Sequence, residues 1–429
     1  MTGAAGSVAE PGIQEVARIQ ARTVRVLAAG QVLGGVAFGA TVSLGALLAA
    51  DLSGQESLSG FATASVTLGA ALCAIPLARL AGARGRRFAL TLGNLFALVG
   101  IATVITAAAI RSFPLLLVGV VLIGAGNAGN LQSRFAATDL AVPQRRGRDL
   151  GAVVWATTVG GVLGPLLLTP GEALGAVVGM PPLTGAYLFS IIAQLAALTL
   201  YLVALRPDPL TLAQRLARAA ASSGPAITEA DRPVAARYAI FAVAASHVVM
   251  ASVMAMTPVH LSHLAVGAAA GHAAHGGDGA ASTSVTLLVG TTIALHVLGM
   301  YGASPLFGYL ADRIGRVPTV LVGQGLLVAA LLTAALWPTV QAAVVVALFL
   351  LGLGWSAATV AGSALLTEST PVAQRPRRQG LSDTTMTASA ALGAVLAGLV
   401  LGWAGYGTLA LLALALVLAT IVLSPLGRR

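Results

Sequence analysis

Twelve stretches of about twenty or more mostly apolar residues follow one another along the chain. They run roughly over 24–50, 58–80, 88–110, 114–138, 150–170, 183–205, 237–260, 284–308, 318–337, 341–367, 381–402 and 407–425. A helix that crosses the hydrocarbon layer of a bilayer needs about 20 such residues, whereas a spanning strand needs only about 10. Backbone polar groups in lipid must be satisfied inside the protein, which favours a helix for each stretch. The expectation is an all-α integral membrane protein with twelve transmembrane helices. Charged residues make up only 9% of the 429, against roughly a quarter in a soluble domain. The first 23 residues are polar and lead straight into a full-length span, so no cleavable signal peptide is expected. Cys73 is the single cysteine and can form no disulfide within the chain.

The arginines set the orientation. Arg18, Arg22 and Arg25 precede or open span one; Arg84, Arg86 and Arg87 follow span two; Arg145, Arg146 and Arg148 follow span four. Arg206, Arg215, Arg218 and Arg232 lie between spans six and seven, Arg313 and Arg316 after span eight, and Arg375, Arg377 and Arg378 after span ten. The tail ends Arg428-Arg429, while the alternate connections hold only Arg111. Both termini are therefore expected in the cytoplasm, with the protein in the cell inner (plasma) membrane. All 24 basic residues are arginine, and the net charge of +10 falls at these membrane-flanking positions, so nucleic acid is not an expected partner.

The longest arginine-side connection, 206–236, opens Arg206-Pro207-Asp208-Pro209 and contains Ser222-Ser223-Gly224-Pro225. Leu210–Ala221 has the pattern of a short amphipathic helix. This connection divides the chain into a cytoplasmic segment 1–23, a six-helix bundle over 24–205, the linker 206–236 and a second six-helix bundle over 237–429. The halves repeat. Gly124-x-Gly126 precedes Asp139 and Arg145-Arg146-x-Arg148, and Gly352-x-Gly354 precedes Glu368 and Arg375-x-Arg377-Arg378. Parallel repeats of this kind suit a transporter built from two bundles. Within 13–22 the choice is open between an interfacial amphipathic helix and a disordered tail.

Residues 308–316 read Gly-Tyr-Leu-Ala-Asp-Arg-Ile-Gly-Arg, and a damaged copy reads Ala78-Arg79-Leu80-Ala81-Gly82-Ala83-Arg84-Gly85-Arg86-Arg87. Gly308-x-Leu310-Ala311-Asp312-Arg313-x-Gly315-Arg316 resembles the cytoplasmic loop motif between the second and third helices of each half in the major facilitator superfamily. Gly160-x-x-x-Gly164-Pro165 partly resembles that superfamily's antiporter motif, found mostly in drug–proton exporters; Leu168-Thr169 stands where its closing glycine pair would be. The resemblance implies two pseudo-symmetric six-helix bundles around a central cavity. It also implies that Asp312 sits at the start of span five in the facing half, where the helix dipole favours an acid. Gly308, Asp312, Arg313, Gly315, Arg316, Arg84, Gly85 and Arg86 are thus candidate gating residues. In the first copy Gly82 replaces the acid. Asp383, in Leu381-Ser382-Asp383-Thr384, lies near the expected start of span eleven. Two readings stand for it: the acid has crossed the interface to face Arg84 or Arg86, or it only caps its own helix.

Polar groups inside spans usually face a cavity or a neighbouring helix. Asn127, Asn130, Arg134 and Thr138 share one face of span four, with Gln132 off it. Arg134 either lines the cavity or snorkels to the surface; the superfamily's usual span-four arginine would fall at Gly119, so that role is not transferred. His247, Met250 and Met254 share a face of span seven, followed by Thr257, Pro258, His260 and His263, and span eight adds His296, Met300 and Tyr301. His247 and His296 are candidate proton carriers, since histidine titrates near neutrality; the competing reading is hydrogen bonding between helices. Gln31, Trp155 and Trp355 complete the candidate cavity with Asn127, Asn130, Arg134, Met250 and Met254. Gly160, Gly164 and Pro165 are read as helix-packing positions. His272-x-x-His275 lies in a glycine-alanine loop with no evident third ligand, and no metal site is assigned.

The chain lacks a phosphate-binding loop, and no cofactor or enzymatic activity is expected. The expected function is secondary transport by alternating access, with proton-coupled efflux of small amphiphilic compounds foremost. The alternatives are transport of an anionic metabolite through Arg134, metal-ion export, and a non-transporting receptor or lipid-flipping protein. The expected partners are a small-molecule substrate, protons and the bilayer, and the protein is expected to act as a monomer.

Overall fold

The computed structural model describes residues 12–55, 58–222, 231–271 and 278–429. Spans one to four are α1 (Ile13–Ser53), α2 (Gly60–Arg84), α3 (Arg86–Ala109) and α4 (Phe113–Ala136). Span five is α5 (Arg146–Leu166), continued by α6 (Leu168–Val177) after a bend of 52°, and span six is α7 (Tyr187–Ala204). The linker forms α8 (Pro209–Ser222). Span seven is α9 (Pro233–Gly271). Span eight is broken at Ala303 into α10 (Asp278–Gly302) and α11 (Ser304–Ile314), where Pro305 in the first turn of α11 has no amide to continue the ladder. Spans nine and ten are α12 (Arg316–Leu336) and α13 (Gln341–Glu368).

Spans eleven and twelve are the two arms of α14 (Arg375–Val422), which folds back at Gly405, a residue at φ +80°. Gly407 packs on Ala335 and Pro338 beyond the reversal, and Gly427 packs on Tyr238 and Val317 at the other end. The second arm therefore returns to the arginine-rich side. Among the described residues twelve crossings result, in the all-helical arrangement expected. At the N-terminus the polar residues from Ile13 onward prolong the first spanning helix, so the boundary at residue 23 is not a structural break. Gln20, on this extension, donates to the Ala137 carbonyl (2.6 Å) and to Asp149 (2.6 Å), tying it to the connection between α4 and α5.

Each half has its own apolar core. Leu44 and Leu48 pack with Ile101, Val104, Leu116, Val120 and Ile123 in the first. Val253, Leu327, Leu331, Leu348, Leu351 and Val417 do so in the second. Small residues bring the helices close. A Cβ on Gly126 would lie 2.9 Å from the Gly93 carbonyl between α3 and α4, and one on Gly323 would lie 2.8 Å from the Gly354 carbonyl between α12 and α13. The halves meet along two seams at the arginine-rich end. Gly147 and Gly151 of α5 lie against Gly308 and Ser304 of α11, and Gly82 and Ala78 of α2 lie against Pro376 and Gly380 of α14.

Candidate transport site

In the first seam, the Asp312 carboxylate receives the backbone N–H of Gly147 (2.9 Å) and of Arg148 (2.9 Å) in the first turn of α5. Free amides and the helix dipole both favour an acid there. Arg316, one turn on from Asp312, donates to Asp312 (2.5 Å), Glu368 (3.2 Å) and the Pro143 carbonyl of the other half (2.5 Å). Gly315 between them sits at φ +101°, a backbone region that disfavours any side chain. Arg313 points away and donates to the Tyr309 hydroxyl (2.9 Å).

The second seam uses the same loop differently. Gly85 sits at φ +92°, like Gly315. Arg86 is fully buried and donates to Asp139 (2.8 and 3.3 Å) and to Gln379 of α14 (2.5 Å). Burial pushes the Asp139 carboxyl up from its ordinary range, and the Arg86 guanidinium opposes that shift. Arg84 is exposed and lies over the Phe88 ring.

The two readings of Asp383 both need correction. It makes no ion pair with Arg84 or Arg86, although Arg86 lies within electrostatic reach of it, and it does not cap its own helix. α14 begins at Arg375, where Pro376 in the first turn starts the helix early, so Asp383 lies two turns inside. There it is fully buried and accepts a hydrogen bond from Arg134 Nη2 at 2.5 Å. Arg134 is 4% exposed, so it does not snorkel to the surface. The ion pair bridges α4 and α14, one residue from each half. Arg134 Nε and Asp383 Oδ2 have no hydrogen-bond partner among the described residues.

The span-four stripe follows the same path between the halves. Asn130 abuts Gly34 of α1, and its carbonyl receives Gln31 Nε2 at 2.9 Å. Thr138 reaches Thr367 of α13 at 3.3 Å. Asn127 is half-buried on that face, and Gln132 turns off it to the Ala74 carbonyl (3.1 Å). On the other side, Trp355 Nε1 donates to His247 Nδ1 at 2.6 Å, which leaves the histidine hydrogen on Nε2. Tyr301 stands edge-on to the Trp355 ring. Arg134 lies within electrostatic reach of both His247 and Tyr301.

Other candidates are placed elsewhere. His296 donates from Nδ1 to the Leu348 carbonyl (2.7 Å), binding α10 to α13. Met250 is buried in the second-half core, with Met254 packed against it. Trp155 is 45% exposed on α5. Gly160 packs on Val32 and Gly35 of α1. Gly164 is buried, and Pro165 lies just before the bend at the end of α5. His272 and His275 lie outside the described residues. Among the described residues no three of His, Cys, Asp and Glu come together as a metal site would require.

Three contributors were not singled out from the sequence. Asp208 caps α8, accepting from the Leu210 and Thr211 amides at 3.1 Å each, and it also accepts from the Arg87 amide of α3 at 2.7 Å. The Asp208-Pro209 dipeptide is an N-cap followed by Pro in the first turn, which marks the α8 start; nothing local marks the bond to Arg87. Gln379 carried no signal, because its partner Arg86 is 293 residues away. Glu172 receives the Leu183 and Gly185 amides and holds the turn into α7.

The family model of the Major Facilitator Superfamily matches residues 27–287 and 279–428. The chain belongs to that superfamily. Two MFS-type transporters of Bacillus subtilis strain 168 are similar along most of their length. YddS is 35% identical over 401 residues, covering 91% of this chain and 87% of its own, and YdeG is 34% identical over 415, covering 95% and 92%. The riboflavin transporter RfnT of Brucella anthropi is 28% identical over 425 residues, covering 94% and 95%. Among solved structures, the human organic anion transporter MFSD10 (TETRAN) superposes with a TM-score of 0.71 at 20% identity, covering 94% of this chain and 99% of that one. A bacterial homologue of the iron transporter ferroportin, in an outward-facing state, superposes with a TM-score of 0.68 at 16% identity, covering 96% and 100%. At such identities the structures establish the shared MFS fold alone. Secondary transport by an MFS protein is the function these relatives support.

Proposed function

We propose that this MFS transporter exports small amphiphilic compounds in exchange for protons, and that the Arg134–Asp383 pair carries the coupling. The supporting observation is the pair's place: one buried charge from each half, joined across the interface. With the arginine-rich end read as cytoplasmic, the described seams correspond to a state closed toward the cytoplasm. A buried ion pair is costly to break one partner at a time. Protonating Asp383 at its free oxygen removes the charge that holds Arg134 and lets the halves part. Arg134 then offers a guanidinium to substrate, next to the aromatic wall of Tyr301, Trp355 and His247. Proteoliposomes carrying an imposed proton gradient and ethidium as probe test this. Asp383→Asn is expected to abolish gradient-driven flux while ethidium exchange persists. Gradient-driven flux at the wild-type rate in that variant would reject the assignment.

A second reading replaces the amphiphile by a polar planar metabolite. It is favoured by the same arginine beside three aromatic rings, and a riboflavin transporter is among the relatives. Competition between ethidium and riboflavin in the same vesicles separates the two.

A further inference from the structure

The linker helix is more tightly built into the molecule than a connection requires. Asp208 uses both carboxylate oxygens. Oδ1 receives the two first-turn amides of α8, and Oδ2 receives the Arg87 amide at the start of α3. The carboxylate also fills the space beside Gly85, where a Cβ would come 2.5–2.8 Å from its atoms. One acid thus caps the linker helix α8 and meets the start of α3 in the first half at once. Two residues on, Leu210 is fully buried between Ala81 of α2 and Ala89 of α3, with Val372 packed against the same cluster. Val372 belongs to the short turn before α14, in the second half. α8 therefore lies across the second seam, pinned to one half by hydrogen bonds and touching the other through an apolar contact.

We propose that Asp208 is a positioning residue for transport: it holds α8 as a strap over the seam between α2 and α14, and this strap must leave Val372 before that end can open. At this loop the superfamily motif lacks its acid, and the carboxylate that receives the Arg87 amide at the start of α3 comes from the linker. Each strap contact is of an opposite kind. The Asp208 bonds tie the linker to the first half alone and survive a rigid-body motion of the bundles, whereas the packing of Val372 on the Leu210 cluster reaches the second half and does not. Asp208 sets where the strap lies, and Leu210 sets how firmly the seam is held shut. This rests on alternating access and is independent of the substrate and of the coupling ion.

The test uses full-length protein in which Cys73→Ala removes the native thiol and Ser382→Cys places a reporter. Ser382 is 1% exposed at the closed seam, so its labelling by a water-soluble maleimide reads opening of that end. Asp208→Asn and Leu210→Ala are each expected to raise the labelling rate severalfold, and Asp208→Glu to bring it part of the way back. Trypsin supplies a second readout, since Arg215 and Arg218 are exposed on α8. Asp208→Asn is expected to speed cleavage there, whereas Leu210→Ala, which keeps the Asp208 bonds, changes cleavage less. Faster cleavage in Asp208→Asn with unchanged labelling would show a strap that does not hold the seam and would overturn the proposal. So would unchanged cleavage, which would show that Asp208 does not hold α8. Should Asp208→Asn fail to fold, labelling of Leu210→Ala decides alone, and a wild-type rate there rejects the strap.

Discussion

Gly82 lies against Pro376 where, in the other half, Asp312 lies against Gly147. The two contacts occupy matching places at the two seams. At one, a carboxylate meets two free amides. At the other, the acid is missing and so is one of the two donors, because proline has no N–H. A Cβ on Gly82 would be 3.2 Å from the Pro376 ring, closer than the seam accepts without adjustment. Loss of the acid and loss of the amide are therefore one change, and the second seam relies on packing and on Arg86–Gln379 instead.

Restoring the acid alone is expected to harm. Gly82→Asp inserts bulk and an unpaired charge, costing the closed seam about 1–3 kcal/mol from overpacking. Combined with Pro376→Ala, which supplies the missing amide, the loss is expected to shrink. Thermal unfolding in detergent of both variants checks this. Equal destabilisation with and without Pro376→Ala would refute it.

Asp312→Asn is expected to leave the protein inserted and to slow turnover. It removes a charge that two amides and Arg316 address, and hydrogen bonds to charged groups are worth about 1.5–3 kcal/mol each. Maleimide labelling of a Ser382→Cys reporter in the Cys73→Ala background reads the shift toward the open state. Wild-type turnover and labelling would reject a gating role.

Arg134 and Asp383 are expected to behave as one unit. Neutralising either alone strands a buried charge at a cost of about 3–5 kcal/mol. Arg134→Gln with Asp383→Asn together should be more stable than either single variant by thermal unfolding, yet still fail to couple flux to a proton gradient. Strictly additive effects would indicate that the pair contributes nothing as a pair.

The two histidines are expected to separate. His296→Leu removes the side-chain bond that ties α10 to the Leu348 carbonyl, which keeps its bond within α13, and should lower stability by about 0.5–1.5 kcal/mol, with proton coupling intact. His247→Gln keeps an acceptor for Trp355 Nε1 and should retain the fold while altering substrate affinity. A loss of coupling in either variant, with Asp383 present, would move the proton from Asp383 to that histidine.

The spans were legible because lipid imposes length and composition on every crossing. The place of Asp312 was legible because the motif carries it. The partner of Asp383 was not. Arg375-Pro376-Arg377-Arg378-Gln379 reads as a polar connection, yet it forms the first turns of α14 and moves Asp383 inward beyond the reach of a cap. The dual use of Asp208 was hidden for a different reason. Its cap of α8 is local and visible, while its bond to Arg87 spans 121 residues and depends on how the linker is laid over the bundle. His247 and Trp355 were each found but not joined, since a bond between side chains 108 residues apart has no local signal.

Along the first seam, main chain meets main chain at the glycines, beside a packed cluster of Leu150, Val154 and Phe307. Gly147 and Gly308 each stand where the other's carbonyl would meet any side chain, and Gly151 does the same at Ser304. Separating α5 from α11 must also withdraw Leu150 and Val154 of α5 from Phe307 of α11. The glycine faces behave as a bearing with two polar catches, the Asp312 carboxylate on the α5 amides and Arg316 on the Pro143 carbonyl. A methyl group at residue 308 would meet the Gly147 carbonyl and leave the Asp312 carboxylate alone, whereas one at residue 147 would press on both, so jamming and release are separable faults at residue 308.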